Sequence, residues 1–407
     1  MDKGEEREHG ALIAGLDIGT TKVCCVIGEV FPNRVKIIGV GNAASSGMKK
    51  GVVVNIESTV RTIHQAVQDA SDMAGCDIEQ VYVGIAGNHI KGFNSPGILA
   101  INNQQIRQKH IEAVIHAAQT VKISDNQQII HVLPQEYMVD DHTGIQNPLG
   151  MTGVRLVTNV HIVTADVTAL HNLVTSCNRA ELSVAEVVLE SVASSATVLT
   201  RDEMELGVAL VDIGGGTTDV AIFCNGSIKH TWELVLGGNN LTSDLSVGLR
   251  TPLQEAEELK YLYGGALSSM IKENYIIEVP TVGDRKPRKV SQRVLVEILE
   301  ARIEEILQMV NNDICSSGYR NQLNAGIVLT GGTALLANIV ELAEQVFDMP
   351  VRIGYPRGIE GRVDEVNSPR CTTAVGLVLH GCKAGNYMVQ EQEGVVGRMR
   401  NWIRNIF

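Results

Sequence analysis

The sequence predicts an α/β protein made of two similar α/β domains around a ligand cleft. Apolar strand patterns alternate with helix patterns along most of the chain, as in sheets whose strands are largely parallel. Of 407 residues, 44% are hydrophobic, only 4% are aromatic and 40 are glycine, a balance typical of Val/Ile/Ala-rich α/β cores. A strand that ends in Asp-Ile-Gly and enters a turn with Thr-Thr occurs twice, at Asp17 and at Asp212, which indicates a duplication.

The second of these turns lies between two apolar, β-branched runs in residues 207–223. Its three consecutive glycines are predicted to adopt positive φ angles and to keep side chains away from a ligand, so that the turn amides converge on an anion. Asp212 ends the first strand beside this anion, and a carboxylate beside phosphate requires a cation between them, which Mg²⁺ supplies through its waters. An ordinary tight hairpin is the alternative. The predicted anion-binding residues are Gly214, Gly215, Gly216, Thr217 and Thr218.

The first turn repeats this design near the N-terminus, and a third element follows late in the chain. Lys22 adds a positive charge to the first turn. The third element is a buried-looking strand at residues 327–330 that passes through a Gly-Gly turn into a helix predicted over residues 335–347, and a flat ring could rest on that turn. The binding residues predicted in these two elements are Asp17, Gly19, Thr20, Thr21, Lys22, Gly331, Gly332 and Thr333.

The order Asp-Ile-Gly-Thr-Thr, Asp-Ile-Gly-Gly-Gly-Thr-Thr-Asp, Thr-Gly-Gly-Thr resembles the two phosphate motifs and the adenosine motif of the actin, Hsp70 and sugar-kinase superfamily. Within that superfamily, residues 131–137 (His-Val-Leu-Pro-Gln-Glu-Tyr) and 147–155 (Asn-Pro-Leu-Gly-Met-Thr-Gly-Val-Arg) make the chain similar to the FtsA family of bacterial cell-division proteins. The resemblance runs from about Leu12 to Phe407. It implies an actin-like, ribonuclease H-like duplicated fold that binds ATP and Mg²⁺.

The resemblance also implies roles for individual residues. Asp17 and Asp212 would hold Mg²⁺ through water. Glu257 and Lys260, on a helix that begins after Pro252, would hydrogen-bond the adenosine sugar, and a solvated ion pair is the alternative. Glu190 stands where superfamily members often orient the attacking water, although the FtsA family is not strict there. ATP turnover is therefore expected to be slow at most, and a scaffold that binds ATP without turnover stays open.

The predicted domain organisation follows from two interruptions of the core pattern. Residues 87–164 break the strand-helix alternation, and the resemblance identifies them as subdomain 1C, which the family uses for protein contacts. Helices are predicted to be capped by Ser58 and by Asp166. The division is 1–86, 165–200 and 371–384 for subdomain 1A; 201–238 and 312–370 for 2A; 239–311 for 2B; 385–393 for a linker; and 394–407 for a terminal helix.

Composition excludes several classes of function. The net charge of −12 argues against nucleic acid as a partner. The eight cysteines are scattered without a C-x-x-C pair, and the eleven histidines show no ligand spacing, so no zinc site or disulfide framework is predicted. The charged N-terminus lacks the apolar segment of a signal peptide, and no run approaches the ~18 residues of a spanning helix.

The terminal helix predicted at residues 394–407 is strongly amphipathic. Its apolar side chains fall within an arc of roughly 140° that excludes its three arginines. This pattern indicates an interfacial anchor on anionic lipid, and a helix docked on the body is the alternative. The residues assigned to the anchor are Val395, Val396, Arg398, Met399, Arg400, Trp402, Ile403, Arg404, Ile406 and Phe407.

The expected function is that of an ATP-binding, actin-like protein that attaches the FtsZ ring to the cytoplasmic face of the bacterial inner membrane at the division site. The expected partners are the C-terminal peptide of FtsZ, met by the basic residues Arg285, Arg288 and Arg293; later division proteins, met by subdomain 1C; and further copies of the chain in a filament. A PilM-like pilus-assembly protein and a sugar kinase are the alternatives. An Hsp70-type chaperone would require a substrate domain after the ATPase, and none is expected.

Overall fold

The structure is a computed structural model that describes residues 10–283 and 286–385. Its first sheet begins with a meander of three antiparallel strands, and a parallel strand joins the far side of the first. The elements of this part are β1 (Ala11–Ile18), β2 (Lys22–Phe31), β3 (Arg34–Ala44), the short pair β4 (Met48–Lys49) and β5 (Val52–Val53), α1 (Ile56–Ala74) and β6 (Gln80–Ile85).

Helix α1 begins three residues earlier than the sequence suggested. Asn55 is its N-cap, with extended backbone and a side chain that accepts a hydrogen bond from the Ser58 amide at 3.0 Å. The prediction of Ser58 as the cap is wrong because Asn55 already occupies the extended position that a cap requires. The helix ends at Gly75, whose φ of 70° forms the left-handed C-terminal cap.

The insertion in the first half is an independent layer of sheet and helix. Its strands are antiparallel in the order β7-β10-β8-β9, and α2 covers one face with a separate core that includes Val114, Ile115 and Leu156. Its elements are β7 (Lys91–Gln105), α2 (Gln108–Gln119), β8 (Gln127–Val139), β9 (His142–Ile145) and β10 (Thr152–Asp166).

After the insertion the chain completes the first sheet and crosses to the second half. The Asp166 side chain accepts hydrogen bonds from the Thr168 and Ala169 amides at 2.9 and 3.1 Å, which confirms it as the cap of the next helix. Strand β11 pairs in parallel with β6. The elements are α3 (Val167–Arg179), β11 (Ser183–Leu189), α4 (Glu190–Val198) and α5 (Arg201–Leu206).

The second half repeats the topology of the first. Its sheet has the order β14-β13-β12-β17-β18, and the first sheet contains the matching order β3-β2-β1-β6-β11, with the same parallel and antiparallel pairings. The duplicated fold is thereby confirmed. The elements are β12 (Val208–Ile213), β13 (Thr218–Cys224), β14 (Ser227–Leu234), α6 (Gly238–Leu249), α7 (Leu253–Tyr263), β15 (Ile276–Val279), β16 (Arg288–Ser291), α8 (Gln292–Ser316), β17 (Ile327–Thr330), α9 (Ile339–Phe347) and β18 (Val351–Ile353).

The predicted helix over residues 335–347 is shorter in the structure. A 3₁₀ turn at Gly332–Leu335 follows β17, and α9 begins only at Ile339. The separation arises because Asn338 has a left-handed backbone with φ of 62°, which a continuous right-handed helix cannot contain.

The last described segment returns to the first half. Strand β19 (Glu360–Gly361) pairs in parallel with β3, and the short α10 (Val363–Val366) leads to α11 (Thr372–Ala384). Helix α11 packs on α4 and on β1. The buried side of α11 and the face of the first sheet that points away from α1 form one apolar core.

A polar contact joins the insertion to the second half. The side-chain amides of Asn94 and Gln135 donate to backbone carbonyls of β14 at 2.9 and 2.8 Å. The Nε2 atom of buried His161 lies 2.9 Å from the hydroxyl oxygen of Thr231, also on β14. Strand β14 belongs to the sheet of the second half. The insertion, which is part of the first half of the chain, therefore contacts the second half as well.

Candidate nucleotide cleft

The two Asp-Ile-Gly turns are two-residue hairpins with the same register and an equivalent backbone hydrogen bond. The amide of Gly19 donates to the carbonyl of Lys22 at 3.0 Å, and the amide of Gly214 donates to the carbonyl of Thr217 at 2.9 Å. The amide of the first glycine in each turn is therefore hydrogen-bonded within the hairpin. The amides that stay available to an anion belong to the residues that follow it.

The glycines of the second turn serve close approach rather than unusual backbone angles. None of Gly214, Gly215 and Gly216 has a positive φ angle, so that part of the prediction is wrong. A Cβ atom on Gly215 would instead lie 2.4 Å from Cγ2 of Thr21, and one on Gly216 would lie 2.4 Å from Oγ1 of Thr20. The two turns thus face each other across the cleft. They approach so closely that a side chain at either glycine would clash with the opposite turn.

Asp17 and Asp212 lie at equivalent places in the two halves, at the base of the facing turns. Burial raises the pKa of Asp17 to about 7, with Lys22 opposing and Asp212 reinforcing the shift. Burial also raises the pKa of Asp212 to about 6, although the Ser194 hydroxyl donates to its Oδ2 at 2.7 Å. Both raised pKa values indicate that the nearby positive charge is too small to offset the burial of these two carboxylates.

A third acidic residue, Asp219, belongs to this group and was missed as a site residue from sequence. It pairs with Asp212 across the β12–β13 hairpin, and its Oδ1 atom is buried without a hydrogen-bond partner. Burial, followed by the Asp212 charge, raises its pKa well above the usual range. The final Asp of the Asp-Ile-Gly-Gly-Gly-Thr-Thr-Asp motif was the available signal, because a two-residue hairpin places it opposite Asp212.

The Gly-Gly turn after β17 closes the far side of the cleft. Gly331 has a φ of 84°, and the hydroxyl of Thr333 donates to the Gly214 carbonyl at 3.1 Å, which links this turn to the second hairpin turn. Lys260 forms an ion pair with Glu257 at 2.7 Å and donates to the Gly238 carbonyl at 3.2 Å. Both residues of this pair line the cleft wall.

A cleft of about 930 Å³ lies between the two halves and brings the predicted residues together. Thr218 is the exception, because it is fully buried and its hydroxyl donates to the Leu236 carbonyl at 2.9 Å. Arg370, Asn239 and Tyr261 also line the cleft and were not predicted. The predicted residues that line it are Asp17, Gly19, Thr20, Thr21, Lys22, Glu190, Asp212, Gly214, Gly215, Gly216, Thr217, Glu257, Lys260, Gly331, Gly332 and Thr333.

Glu190 begins α4 and is half-buried beside the other acidic groups. Burial, reinforced by the charges of Asp17, Asp219 and Asp212, raises its pKa well above the usual range. A cation that entered the cleft would oppose this upward shift of the Glu190 pKa. Its position at the start of α4, in the lining of the cleft, is compatible with contact to a ligand or to ordered water.

Of the other predicted sites, the residues that the structure describes do not line the cleft. Arg288 and Arg293 are exposed on β16 and at the start of α8. Arg285 and residues 394–407 lie outside the described residues. Within residues 10–283 and 286–385, no helix is long and apolar enough to cross a bilayer. In the same ranges, no three or more His, Cys, Asp or Glu side chains are grouped to hold a metal ion directly.

This fold, with two equivalent phosphate-type turns facing each other across a cleft, defines a protein of the actin-like class. Comparisons with known proteins support this class and identify a family within it. The family described as "Cell division protein FtsA" matches residues 209–376, and that described as "SHS2 domain inserted in FTSA" matches residues 87–164, the predicted insertion. The chain is 45% identical over 413 residues to the cell division protein FtsA of Pseudomonas aeruginosa, covering 98% of this chain and 99% of that protein. The chain belongs to the FtsA family of cell-division proteins.

Solved structures agree on the fold. The PilM-PilN type IV pilus biogenesis complex is similar with a TM-score of 0.65 and 16% identity, covering 91% of this chain and 98% of that chain. MreB5 of Spiroplasma citri bound to ADP is similar with a TM-score of 0.52 and 15% identity, covering 97% and 98%. These likenesses show the fold alone, whereas the sequence identity to FtsA does not favour the pilus-assembly or sugar-kinase alternatives.

Proposed function

We propose that this chain binds ATP with Mg²⁺ in its cleft and, in that state, attaches the FtsZ ring to the cytoplasmic face of the bacterial inner membrane. The observation that carries the proposal is the meeting of two equivalent turns and a Gly-Gly turn around one cleft lined by buried acidic groups. The similar MreB5 structure contains ADP, which supports a nucleotide in this cleft.

The residues present fit Mg²⁺. The buried Asp219 Oδ1 atom has no partner, and the raised pKa values of Asp17 and Asp212 indicate that a cation would be stabilised here. Asp17, Asp212 and Asp219 would hold the ion through its water ligands, the manner in which Mg²⁺ is commonly bound beside phosphate. When bound, Mg²⁺ neutralises phosphate charge.

Residues from both halves of the chain would contact the nucleotide. The amides and hydroxyls of Thr20 and Thr21 and the ammonium of Lys22 face the phosphates from one side, and the amides of Gly215 and Gly216 face them from the other. Glu257 and Lys260 would bind the ribose, and Gly332 with Thr333 would support the adenine ring. Glu190 would orient a water molecule, so replacing it with Gln should lower phosphate release without weakening ATP binding.

The membrane attachment rests on the sequence of residues 394–407, which lie outside the described residues. Seven apolar side chains buried partway contribute several kcal/mol at ~25 cal/mol per Å², reduced by the cost of ordering a short helix. Each of its three arginines adds about 1 kcal/mol near an anionic surface. Attachment of one copy is reversible, and a filament of ATP-bound bodies gathers many anchors into a durable attachment.

Subdomain 2B is the proposed site for the acidic, apolar C-terminal peptide of FtsZ. Arg288 and Arg293 are exposed there, and Tyr275, Ile276 and Val294 are exposed nearby at 55%, 65% and 43%. Charges steer an acidic peptide while apolar side chains supply contact area. The insertion is proposed to meet later division proteins or a neighbouring copy of the chain, supported by exposed Ile98 and Val154 on its sheet.

One experiment separates these functions. Purified protein is tested for Mg-ATP binding and for sedimentation with anionic liposomes, in its full form and without residues 394–407. We expect both forms to bind ATP and only the full form to sediment. Trp402→Glu should behave like the shortened form, and Trp232→Phe is a control away from the tail. Sedimentation of the Trp402→Glu protein would show that the tail is a docked helix and not an anchor.

The FtsZ contact is tested separately. Charge reversal at Arg288 and Arg293 should weaken binding of an acidic C-terminal peptide by about tenfold, and raising salt should weaken the wild-type contact because exposed charges are screened. Reversal of the exposed Arg61, on α1 of the other half, is the matched control. Unchanged peptide affinity in the reversed protein would place the site elsewhere.

A further inference from the structure

Two buried hydroxyl groups lie at the carboxylate of Asp212. The Ser194 hydroxyl donates to Oδ2 of Asp212 at 2.7 Å. The Oγ1 atom of Thr373 lies 3.1 Å from Oγ of Ser194 and 3.5 Å from the same Oδ2 atom. Ser194 is fully buried, whereas Thr373 is 6% exposed and lines the cleft. The three side chains therefore form one buried polar cluster beside the cleft.

The number of protons decides the direction of these hydrogen bonds. An ionised carboxylate only accepts hydrogen bonds, and each hydroxyl has one proton to donate. Because Ser194 donates its proton to Asp212, its oxygen accepts from Thr373 across the 3.1 Å separation. The 3.5 Å between Thr373 and Asp212 is long for an O–H···O bond, so Thr373 acts mainly through Ser194. The result is a hydrogen-bond chain from Thr373 through Ser194 to Asp212.

Two closely packed helices fix the positions of the hydroxyls. Ser194 lies on α4, and Thr373 lies in the first turn of α11. The helices cross in backbone contact, since a Cβ atom on Gly376 of α11 would lie 1.9 Å from the carbonyl oxygen of Ala193 on α4. Because Asp212 belongs to β12 of the second sheet and α11 packs on the first sheet, the hydrogen-bond chain also joins the two halves.

The hydrogen bonds to Oδ2 give the two oxygens of Asp212 different surroundings. A Cβ atom on Gly331 would lie 2.4 Å from Oδ1, so this oxygen is beside the Gly-Gly turn that lines the cleft. The terminal torsion of an aspartate side chain is broad and roughly two-fold, so without partners the two oxygens could exchange places. The hydroxyls therefore restrict the orientation of the carboxylate.

We propose that Ser194 and Thr373 are positioning residues of the proposed Mg²⁺ site, which hold Asp212 in the orientation that binds the hydrated cation. This inference rests on the proposed function, in which Asp212 binds Mg²⁺ through water. Removing a group that orients a metal-binding carboxylate typically lowers metal affinity by about 10- to 100-fold. Because Asp212 would act through water ligands, we expect the lower end of this range, about tenfold, for loss of the Ser194 hydroxyl.

The test measures binding of a fluorescent ATP analogue to the full chain over a series of Mg²⁺ concentrations. For Ser194→Ala, the Mg²⁺ concentration that gives half of maximal binding, the Mg²⁺ midpoint, should rise about tenfold. Analogue affinity at saturating Mg²⁺ should stay within about twofold of wild type, because excess cation compensates for the weaker site. A merely structural role would lower affinity at every Mg²⁺ concentration without moving the midpoint, and that result would overturn the proposal.

Ser195→Ala is the matched control. Ser195 is a buried neighbour on the same helix, but its hydroxyl donates to the Val192 carbonyl at 2.7 Å and not to Asp212. Its removal should leave the Mg²⁺ midpoint at the wild-type value. Equal midpoints for Ser194→Ala and Ser195→Ala in folded protein would refute the positioning role.

Variants of Thr373 test the hydrogen-bond chain by a second route. Thr373→Val keeps the shape of the side chain without its hydroxyl, so the Mg²⁺ midpoint should rise about threefold, the effect of one neutral hydrogen bond. Thr373→Ser keeps the hydroxyl and should restore the wild-type midpoint. The double variant Ser194→Ala/Thr373→Val should lose no more than Ser194→Ala alone, and additive losses would show that Thr373 does not act through Ser194.

The wild-type chain separates failure of this inference from failure of the proposed function. Unchanged midpoints in variants of a chain that binds the analogue with Mg²⁺ refute only the positioning role. Absence of Mg²⁺-dependent binding in the wild-type chain contradicts the proposed function, and the positioning role fails with it.

Discussion

Replacing Gly331 by alanine tests the geometry of the Gly-Gly turn at the far side of the cleft. The φ of 84° at this position is strained for any L-residue, at a cost of about 1–2 kcal/mol. The added Cβ would also lie 2.4 Å from Oδ1 of Asp212 and 2.5 Å from the carbonyl oxygen of Ile213. Both atoms belong to a buried strand end that has little freedom to move, and overpacking of this kind costs about 1–3 kcal/mol. The two costs together predict a loss of roughly 2–5 kcal/mol in the free energy of unfolding.

The neighbouring Gly332 provides a matched control. Its φ is not positive, and a Cβ there would meet only the Arg370 side chain, at 3.6 Å, an ordinary contact. Gly332→Ala should therefore change the free energy of unfolding by less than about 1 kcal/mol. The two variants differ by one position in the same turn, so they separate strain at Gly331 from a general loss of glycine.

The assay is chemical unfolding followed by circular dichroism, together with calorimetric titration of Mg-ATP. Gly331→Ala displaces the Asp212 carboxylate, so we also expect its ATP affinity to fall by at least about tenfold, equivalent to about 1.4 kcal/mol. Equal unfolding free energies for the two alanine variants would refute the argument, because they would show that the turn adapts without strain.

Three further predictions concern other polar groups. Asp219→Asn should weaken Mg-ATP binding at least about tenfold, because it removes a carboxylate from the proposed Mg²⁺ site. It should change apo stability by less than about 1 kcal/mol, because burial opposes ionisation of the native carboxyl and raises its pKa. Calorimetry with Mg²⁺ and with EDTA measures the binding, and unchanged affinity excludes Asp219 from the site. Burial opposes ionisation of Glu203, yet hydrogen bonds from Arg352 and Thr200 lower its pKa to about 2. The contribution of ionised Glu203 to the free energy of unfolding is therefore present above pH 4.5 and is lost as pH falls toward 2. After discounting for solvent, that stabilisation is about 1–2 kcal/mol, and the unfolding free energy of Glu203→Gln should lack this pH dependence; parallel pH profiles of the two proteins would contradict the assignment. His161→Leu should cost about 1–3 kcal/mol because it leaves its hydrogen-bond partners unpaired, while the exposed His64→Leu should cost less than about 0.5 kcal/mol; equal unfolding midpoints for the two would argue against the contact between the insertion and β14.

The parts of this protein that depend on local pattern could be predicted from its sequence. The hairpins around Asp17 and Asp212 follow from apolar runs on each side of a short glycine-bearing turn, and their repetition predicted the duplicated fold. The insertion was visible at residues 87–164 because the strand-helix alternation stops there. These features were readable because turn residues and hydrophobic periodicity act over a few neighbouring positions.

The way these local elements meet could not be predicted, because it depends on packing between residues that are far apart in the chain. The glycines of the second turn were expected to supply positive φ angles, but Gly215 and Gly216 are needed because Thr21 and Thr20 approach from the other half of the chain. Thr218 turned away from the cleft, and Asp219 entered the acidic group through its pairing with Asp212. The number and type of residues in a turn set its local shape, whereas the distance across a cleft depends on the packing of two separate cores, which no local pattern contains.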